Sequence, residues 1–143
     1  MDRVSSHFRK QNPVLGSNIF PQTDSSINTV STAGNVTYTA AQAICGLILR
    51  DPASSARTDV FPTAALLVAA IQGAEKDTYF DLMIRNMSSG ANTITNTVGT
   101  GGTAVSTLTT IAQNYTTQYR FVLTNVTLGS EAYSVYNLGT TAN

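Results

Sequence analysis

The stretch "EKDTYFD", Glu75 to Asp81, holds the densest group of acids in the chain. Glu75, Asp77 and Asp81 are the residue types a calcium ion needs, but such a site takes six or more oxygens, and Lys76 sits inside the run. Nothing in the spacing marks two carboxylates for a cleft about 5–9 Å wide, as glycoside hydrolysis requires. His7 is the single histidine and Cys45 the single cysteine. A Ser-His-Asp triad needs its histidine fixed in a cleft beside a nucleophile, and His7 lies in a polar leading segment. One His and one Cys do not complete a tetrahedral zinc site. "AICGLIL" around Cys45 reads as an apolar setting for an inert thiol. The expectation is no catalytic residue, no metal, no cofactor and no enzyme.

Two further groups merit weighing. "GTGG", Gly99 to Gly102, looks like a phosphate loop, yet no Lys-Ser/Thr follows it, so it reads as a turn. Four of the six tyrosines, Tyr115, Tyr119, Tyr133 and Tyr136, fall in the last thirty residues. Tyrosine is enriched at protein interfaces and supplies flat amphipathic surface. Tyr133 and Tyr136 are therefore candidate partner-binding residues; the pattern reads as core or subunit interface, with a glycan platform as the other reading. By strand alternation Tyr133 and Val135 face one way, Tyr136 and Leu138 the other.

The elements that position these groups read mostly as strands. In "TYFDLMIRN" Phe80, Leu82 and Ile84 alternate with Asp81, Met83 and Arg85, the mark of a half-buried antiparallel strand. "TQYRFVLTNV" does the same with Tyr119, Phe121 and Leu123. "GLILR", "TITNTV", "TAVSTLTTI" and "AYSVYNLG" add further strands, divided by turns rich in Gly, Asn and Ser. "DPASSARTD" reads as a surface loop. "FPTAALLVAAI" reads as one short helix: alanine is the best helix former and a poor strand former. Its apolar face is Leu66, Leu67, Ala70 and Ile71, with Thr63 or Asp59 as cap and Gly73 beyond its end. About seven strands at short spacing predict an all-β antiparallel sandwich or jelly-roll-like domain over residues 36–143.

Composition narrows the function classes. The 143 residues make one domain's worth of chain, and about a quarter of them are Ser or Thr. Charged residues are 11% and cancel to a net charge of zero, against roughly 25% in an ordinary soluble domain. A charge-poor, neutral surface suits a protein that lives against other protein. The only basic cluster, Arg3, Arg9 and Lys10, falls short of the charge that nucleic acid demands. No apolar run reaches 18 residues, so no membrane span is expected. The opening "MDRVSSHFRKQNPV" has no apolar core of a signal peptide, so synthesis in a cytosol is expected.

Residues 1–35 read as an extended N-terminal arm. They mix Pro13, Gly16, Pro21 and Gly34 with Ser, Thr and Asn, and large apolar residues are spaced singly along them. A segment with so little apolar surface must borrow a surface to order itself, from its own domain or a neighbouring subunit. Phe8, Leu15, Ile19 and Phe20 are the candidate anchors, because spaced large side chains on an extended chain fill pockets.

"DVFPTAALLVAAIQGA", "FDLMIRN", "ANTITNTVGTGGT", "TIAQN" and "RFVLTNVTLGSEAYSVYNLG" carry a resemblance. Over roughly Ala41 to Thr140 the chain resembles a small β-sandwich domain found in virion proteins of large double-stranded DNA viruses, both capsid-associated and fibre-like. The resemblance implies a structural virion component without catalytic residues, quite in keeping with a trimer. The expected role is a minor capsid, cement or decoration protein that docks on capsid proteins through its arm; a receptor- or glycan-binding fibre head is the alternative.

Overall fold

A computed structural model describes residues 27–143. Phe8, Leu15, Ile19 and Phe20, together with His7, lie outside the described residues. Among the described residues eight strands and two short helices follow one another: β1 (Asn28–Val30), α1 (Ala40–Ile44), β2 (Leu47–Arg50), β3 (Arg57–Val60), α2 (Ala64–Ala70), β4 (Tyr79–Asn86), β5 (Ile94–Thr97), β6 (Gly102–Ala104), β7 (Tyr115–Asn125) and β8 (Ala132–Ala142). The fold is strand-rich, as the alternating patterns predict.

The strands form a six-stranded sheet in the order β1-β2-β4-β7-β8-β6 and a separate pair, β3-β5. Only β4-β7 and β7-β8 are antiparallel; β1-β2, β2-β4, β6-β8 and β3-β5 run parallel. The expected uniform antiparallel pairing is therefore corrected to a mixed sheet. The reason lies in the connections. Parallel neighbours need a crossover: α1 lies between β1 and β2, β3 and α2 between β2 and β4, α2 and β4 between β3 and β5, and β7 between β6 and β8.

The β3-β5 pair is flanked on both sides. Thr37 bridges Val60 beside β3, and Ile111 bridges Ile94 beside β5. This second layer meets the large sheet through aromatic side chains. Phe61 lies 4.9 Å from Phe121 and 5.2 Å from Tyr119, both edge to face. Phe80 stacks on Phe121 at 4.9 Å and Tyr133 closes the far side at 5.4 Å. Ile48, Leu82, Ile84, Tyr119, Phe121, Leu123 and Val135 are all fully buried. These are the inward positions of β2, β4, β7 and β8, so the period-2 pattern decides what the core contains.

Among the described residues two helices stand where one is predicted. α1 opens with a reciprocal capping box: the Gln42 N–H donates to Thr39 Oγ1 at 3.1 Å and the Thr39 N–H to Gln42 Oε1 at 2.9 Å. Its Ala40 and Ala43 are buried against the core, and Gly46 leaves it at φ 97°. α2 is capped by Thr63, whose Oγ1 accepts from the Leu66 N–H at 3.3 Å. Its buried face is Ala64 and Leu67, with Val68 and Ile71 half-buried. Leu66 is 54% exposed. The apolar face is thus rotated from the Leu66-Leu67-Ala70-Ile71 stripe, onto the i, i+3, i+4, i+7 positions of a helix seated on one side.

Candidate interaction face

The inner face of the large sheet is filled by the core, and its outer face is built from the alternate residues. Cross-strand register sets four rows there. Leu47 sits beside Met83 and Met83 beside Gln118; Leu49 beside Arg85 and Arg85 beside Thr116. Asp81 sits beside Arg120 and Arg120 beside Tyr136; Tyr79 beside Val122 and Val122 beside Ser134. Tyr79, Met83 and Tyr136 are exposed, at 61%, 41% and 37%. Leu47, Leu49 and Val122 are half-buried. Among the described residues no second layer covers this face. Polar side chains stand in every row, Gln118, Arg85 with Thr116, and Ser134 among them, and one row pairs two charges.

Asp81 and Arg120 anchor that row. Arg120 Nε donates to Asp81 Oδ1 at 2.7 Å and Nη2 to Oδ2 at 2.9 Å, a two-pronged pair across β4 and β7. The guanidinium also lies 4.7 Å from the centre of the Tyr79 ring. Hydrogen bonding by Arg120 holds the Asp81 carboxyl below its usual range, and the same bond raises Arg120. Both partners are half-exposed, so the pair organises the surface more than it stabilises the fold.

The candidate residues of the sequence divide sharply. Tyr136 lies on the outer face next to Arg120. Tyr133 is buried at 1% exposure, its hydroxyl accepting from the Gly99 N–H and donating to the Pro62 carbonyl, each at 3.1 Å. Tyr133 is therefore corrected from partner-binding surface to core: strand alternation turns it away from Tyr136, and the two cannot form one platform. Burial pushes its hydroxyl up to about 12.

The acidic stretch comes apart in the same way. Asp81 belongs to the outer face, whereas Asp77 sits in a turn at φ 71° with its N–H donating to the Leu123 carbonyl at 2.7 Å. Among the described residues no three His, Cys, Asp or Glu side chains converge to hold a metal ion. Cys45 is half-buried, not enclosed. Its sulfur donates to the Gln42 and Leu47 carbonyls at 3.0 and 3.3 Å and accepts from Asn28 Nδ2 at 2.7 Å. Among the described residues no helix is long and apolar enough to cross a membrane.

Sequence reasoning missed a second feature, a shallow open groove of about 500 Å³ at the end of β8. Its walls are the segment Ser106–Thr110 and the strand residues Asn137–Thr140, with Tyr115 at one end. "TAVSTLTTI" reads as strand, since Thr is β-branched; Thr103 and Ala104 pair in β6 and Ile111 bridges Ile94, and hydroxyl-bearing residues between them form a wall instead. Compared with known proteins, the chain matches no family model, no curated protein and no solved structure.

Proposed function

We propose that this chain is a non-enzymatic structural component of a virion, a minor capsid, cement or decoration protein. In this reading its two layers act as a β-sandwich of jelly-roll type and its outer sheet face packs against capsid neighbours. The observation that carries the proposal is that face, where Leu47, Leu49, Met83, Val122 and Tyr136 share one side of β2, β4, β7 and β8. Exposed apolar fields of this kind mark contact with other protein. The low, balanced charge fits the same use, and the virion setting rests on the resemblance of the sequence. Phe8, Leu15, Ile19 and Phe20 act as a tether to the same neighbours. Copies of the chain associate as a trimer, which removes the short edge strands β1 and β6 from water.

Replacing Met83 and Tyr136 with lysine tests the reading. Both are exposed, so the fold should survive, while incorporation into particles and the mass of the isolated chain in solution should fall. Unchanged incorporation would sink the capsid-contact role, and a wild-type monomer at high concentration would sink the trimer.

A further inference from the structure

The groove at the end of β8 has no part in that assembly role, and its chemistry points elsewhere. Its ten lining residues include no Asp, Glu, Lys, Arg or His. A ligand carrying net charge would find no counter-ion there and would lose hydration without compensation. The lining does offer hydroxyls held in fixed positions. Thr109 Oγ1 accepts from Asn137 Nδ2 at 2.9 Å and lies 3.3 Å from Thr140 Oγ1. Thr140 Oγ1 in turn lies 2.7 Å from Thr117 Oγ1, and Thr110 Oγ1 lies 3.1 Å from Thr95 Oγ1. Ser106 Oγ accepts from the Asn137 N–H at 2.7 Å. Each hydroxyl has one donor and two acceptor positions, so these contacts hold the groups and leave them hydrogen-bonding capacity.

Tyr115 supplies the other half of the chemistry. It is 39% exposed at the mouth of the groove. The turn before it fixes its place: its N–H donates to the Ala112 carbonyl at 3.1 Å, and Asn114 holds φ 63°. Asn143 fastens the same turn, its side-chain amide donating to the Asn114 carbonyl at 2.9 Å. A partly exposed aromatic ring on a pinned turn, beside a row of oriented hydroxyls and without charge, suits a ligand with an apolar C–H face and several hydroxyls. A volume of about 500 Å³ falls within the roughly 300–1,000 Å³ of small-ligand sites. We propose that this groove binds a neutral saccharide, with the sugar ring against Tyr115 and its hydroxyls meeting Ser106, Thr109 and Thr140.

The site differs from the Tyr133-Tyr136 platform that the sequence suggests, since Tyr133 is buried. It also stands apart from the assembly reading: the groove can be empty in a capsid protein, and occupied in a protein that never joins one. The test is a titration of the full chain, labelled with nitrogen-15, by the methyl glycosides of glucose, galactose, mannose and N-acetylglucosamine. At least one should shift the amides of residues 106–112 and 137–140 with a Kd of about 1 mM, the weak range of a shallow site. Tyr115→Ala should weaken binding about tenfold while leaving the amides of β2 and β3 in place. Thr109→Val, of nearly equal shape, should weaken it as well and serves if Tyr115→Ala fails to fold. No shift from any of the four up to about 50 mM, well beyond that Kd, overturns the proposal. So do shifts that persist in both variants, and so does a response to sialic acid with none to the neutral sugars.

Discussion

Arg50 and Asp59 form an ion pair in which neither side chain reaches solvent, with Nε 2.7 Å from Oδ2. Every group around it is used. Arg50 also donates to the carbonyls of Thr32, Gly34 and Asp51 at 2.6–2.8 Å. Asp59 accepts further from the Tyr38 hydroxyl at 2.8 Å and the Val36 N–H at 2.9 Å. The pair thereby ties together the described end of the arm, β2 of the large sheet and β3 of the second layer. Burial and the adjacent Asp59 carboxylate raise the Tyr38 hydroxyl far above its usual range, so it stays a donor. Asp59→Ala leaves a buried guanidinium unpaired and should cost about 3–5 kcal/mol. Urea unfolding of the purified chain measures this; a cost below about 1 kcal/mol would mean that water reaches the pair.

The same bonds set where the chain can be cut. Val30, Thr32 and Gly34 carbonyls all accept from Arg50, and Val30 pairs with Arg50 in the β1-β2 ladder. Removing residues 1–26 keeps those acceptors and β1 in the chain. Removing residues 1–35 deletes those acceptors together with β1 and should lower stability by about 3–5 kcal/mol, the cost of a broken buried charge network. Thermal melts of the two truncations decide the matter. Equal melting points would show that the arm's last residues do not hold the guanidinium.

What could be read ahead of the structure follows from where hydrophobicity alternates. β4, β7 and β8 were legible because Phe80-Leu82-Ile84, Tyr119-Phe121-Leu123 and Tyr133-Val135 put apolar residues on one side only. β3 was not. "RTDV" carries its inward position as Asp59, a charged residue whose burial depends on Arg50 nine residues earlier, and no local pattern reveals a partner at that distance. The T-x-x-Q of Thr39 to Gln42 was a usable signal for α1, hidden beneath the Thr/Tyr alternation that precedes it. Strand direction was illegible throughout, since side-chain period is the same in parallel and antiparallel pairs. The outer face was legible as Asp81, Met83 and Arg85, though not that it stays uncovered. The groove depends on a register shift between Gln118 and Tyr119 that propensity does not encode.

Asp81 should make a small, acid-sensitive contribution. Its folded-state value lies below the ordinary 3.8. The stabilisation is therefore fully present above about that pH and is lost as pH falls through the depressed value. With side chains 42% and 33% exposed, its size should be about 0.2–1 kcal/mol and shrink with salt. Asp81→Asn compared with wild type by urea unfolding at neutral pH, and again well below 3.8, should show a difference that closes in acid. A difference that grows in acid would reverse the assignment.

Alkali should act through the core tyrosines. Burial raises Tyr38 and Tyr119, and brings Tyr133 to about 12. A tyrosine whose folded value is raised stabilises the fold below its unfolded value, near 10, and that stability falls as pH climbs toward the folded value. Between about pH 10 and 12 the chain should lose stability steadily, and the phenolate absorbance of these three should appear together with unfolding. Tyr133→Phe keeps the ring but leaves the Gly99 N–H without its acceptor, and should cost about 1–2 kcal/mol at neutral pH. Core phenolates that form while the near-ultraviolet circular dichroism stays native would show that these rings are open to water.

The glycines of the turn Gly99–Gly102 have a packing reason. A Cβ on Gly99 would overlap the backbone carbonyl of Phe61 and come within 2.7 Å of the Pro62 oxygen. On Gly102 it would run into the ring of Tyr133, which faces it in the β6-β8 register. At Gly101, with φ 81°, it would meet both Ala64 Cβ and the Glu131 carbonyl at 2.7 Å. Backbone atoms and a fully packed ring cannot swing aside, so overpacking here should sit at or above the upper end of the usual 1–3 kcal/mol. Gly34 is the control: a Cβ there meets nothing within 4 Å and its φ is not in the left-handed region. Gly99→Ala and Gly102→Ala should each lower the urea midpoint well below wild type while Gly34→Ala leaves it in place. Three equal midpoints would mean that the turn does not press on Phe61 and Tyr133, and that the aromatic core closes by some other contact.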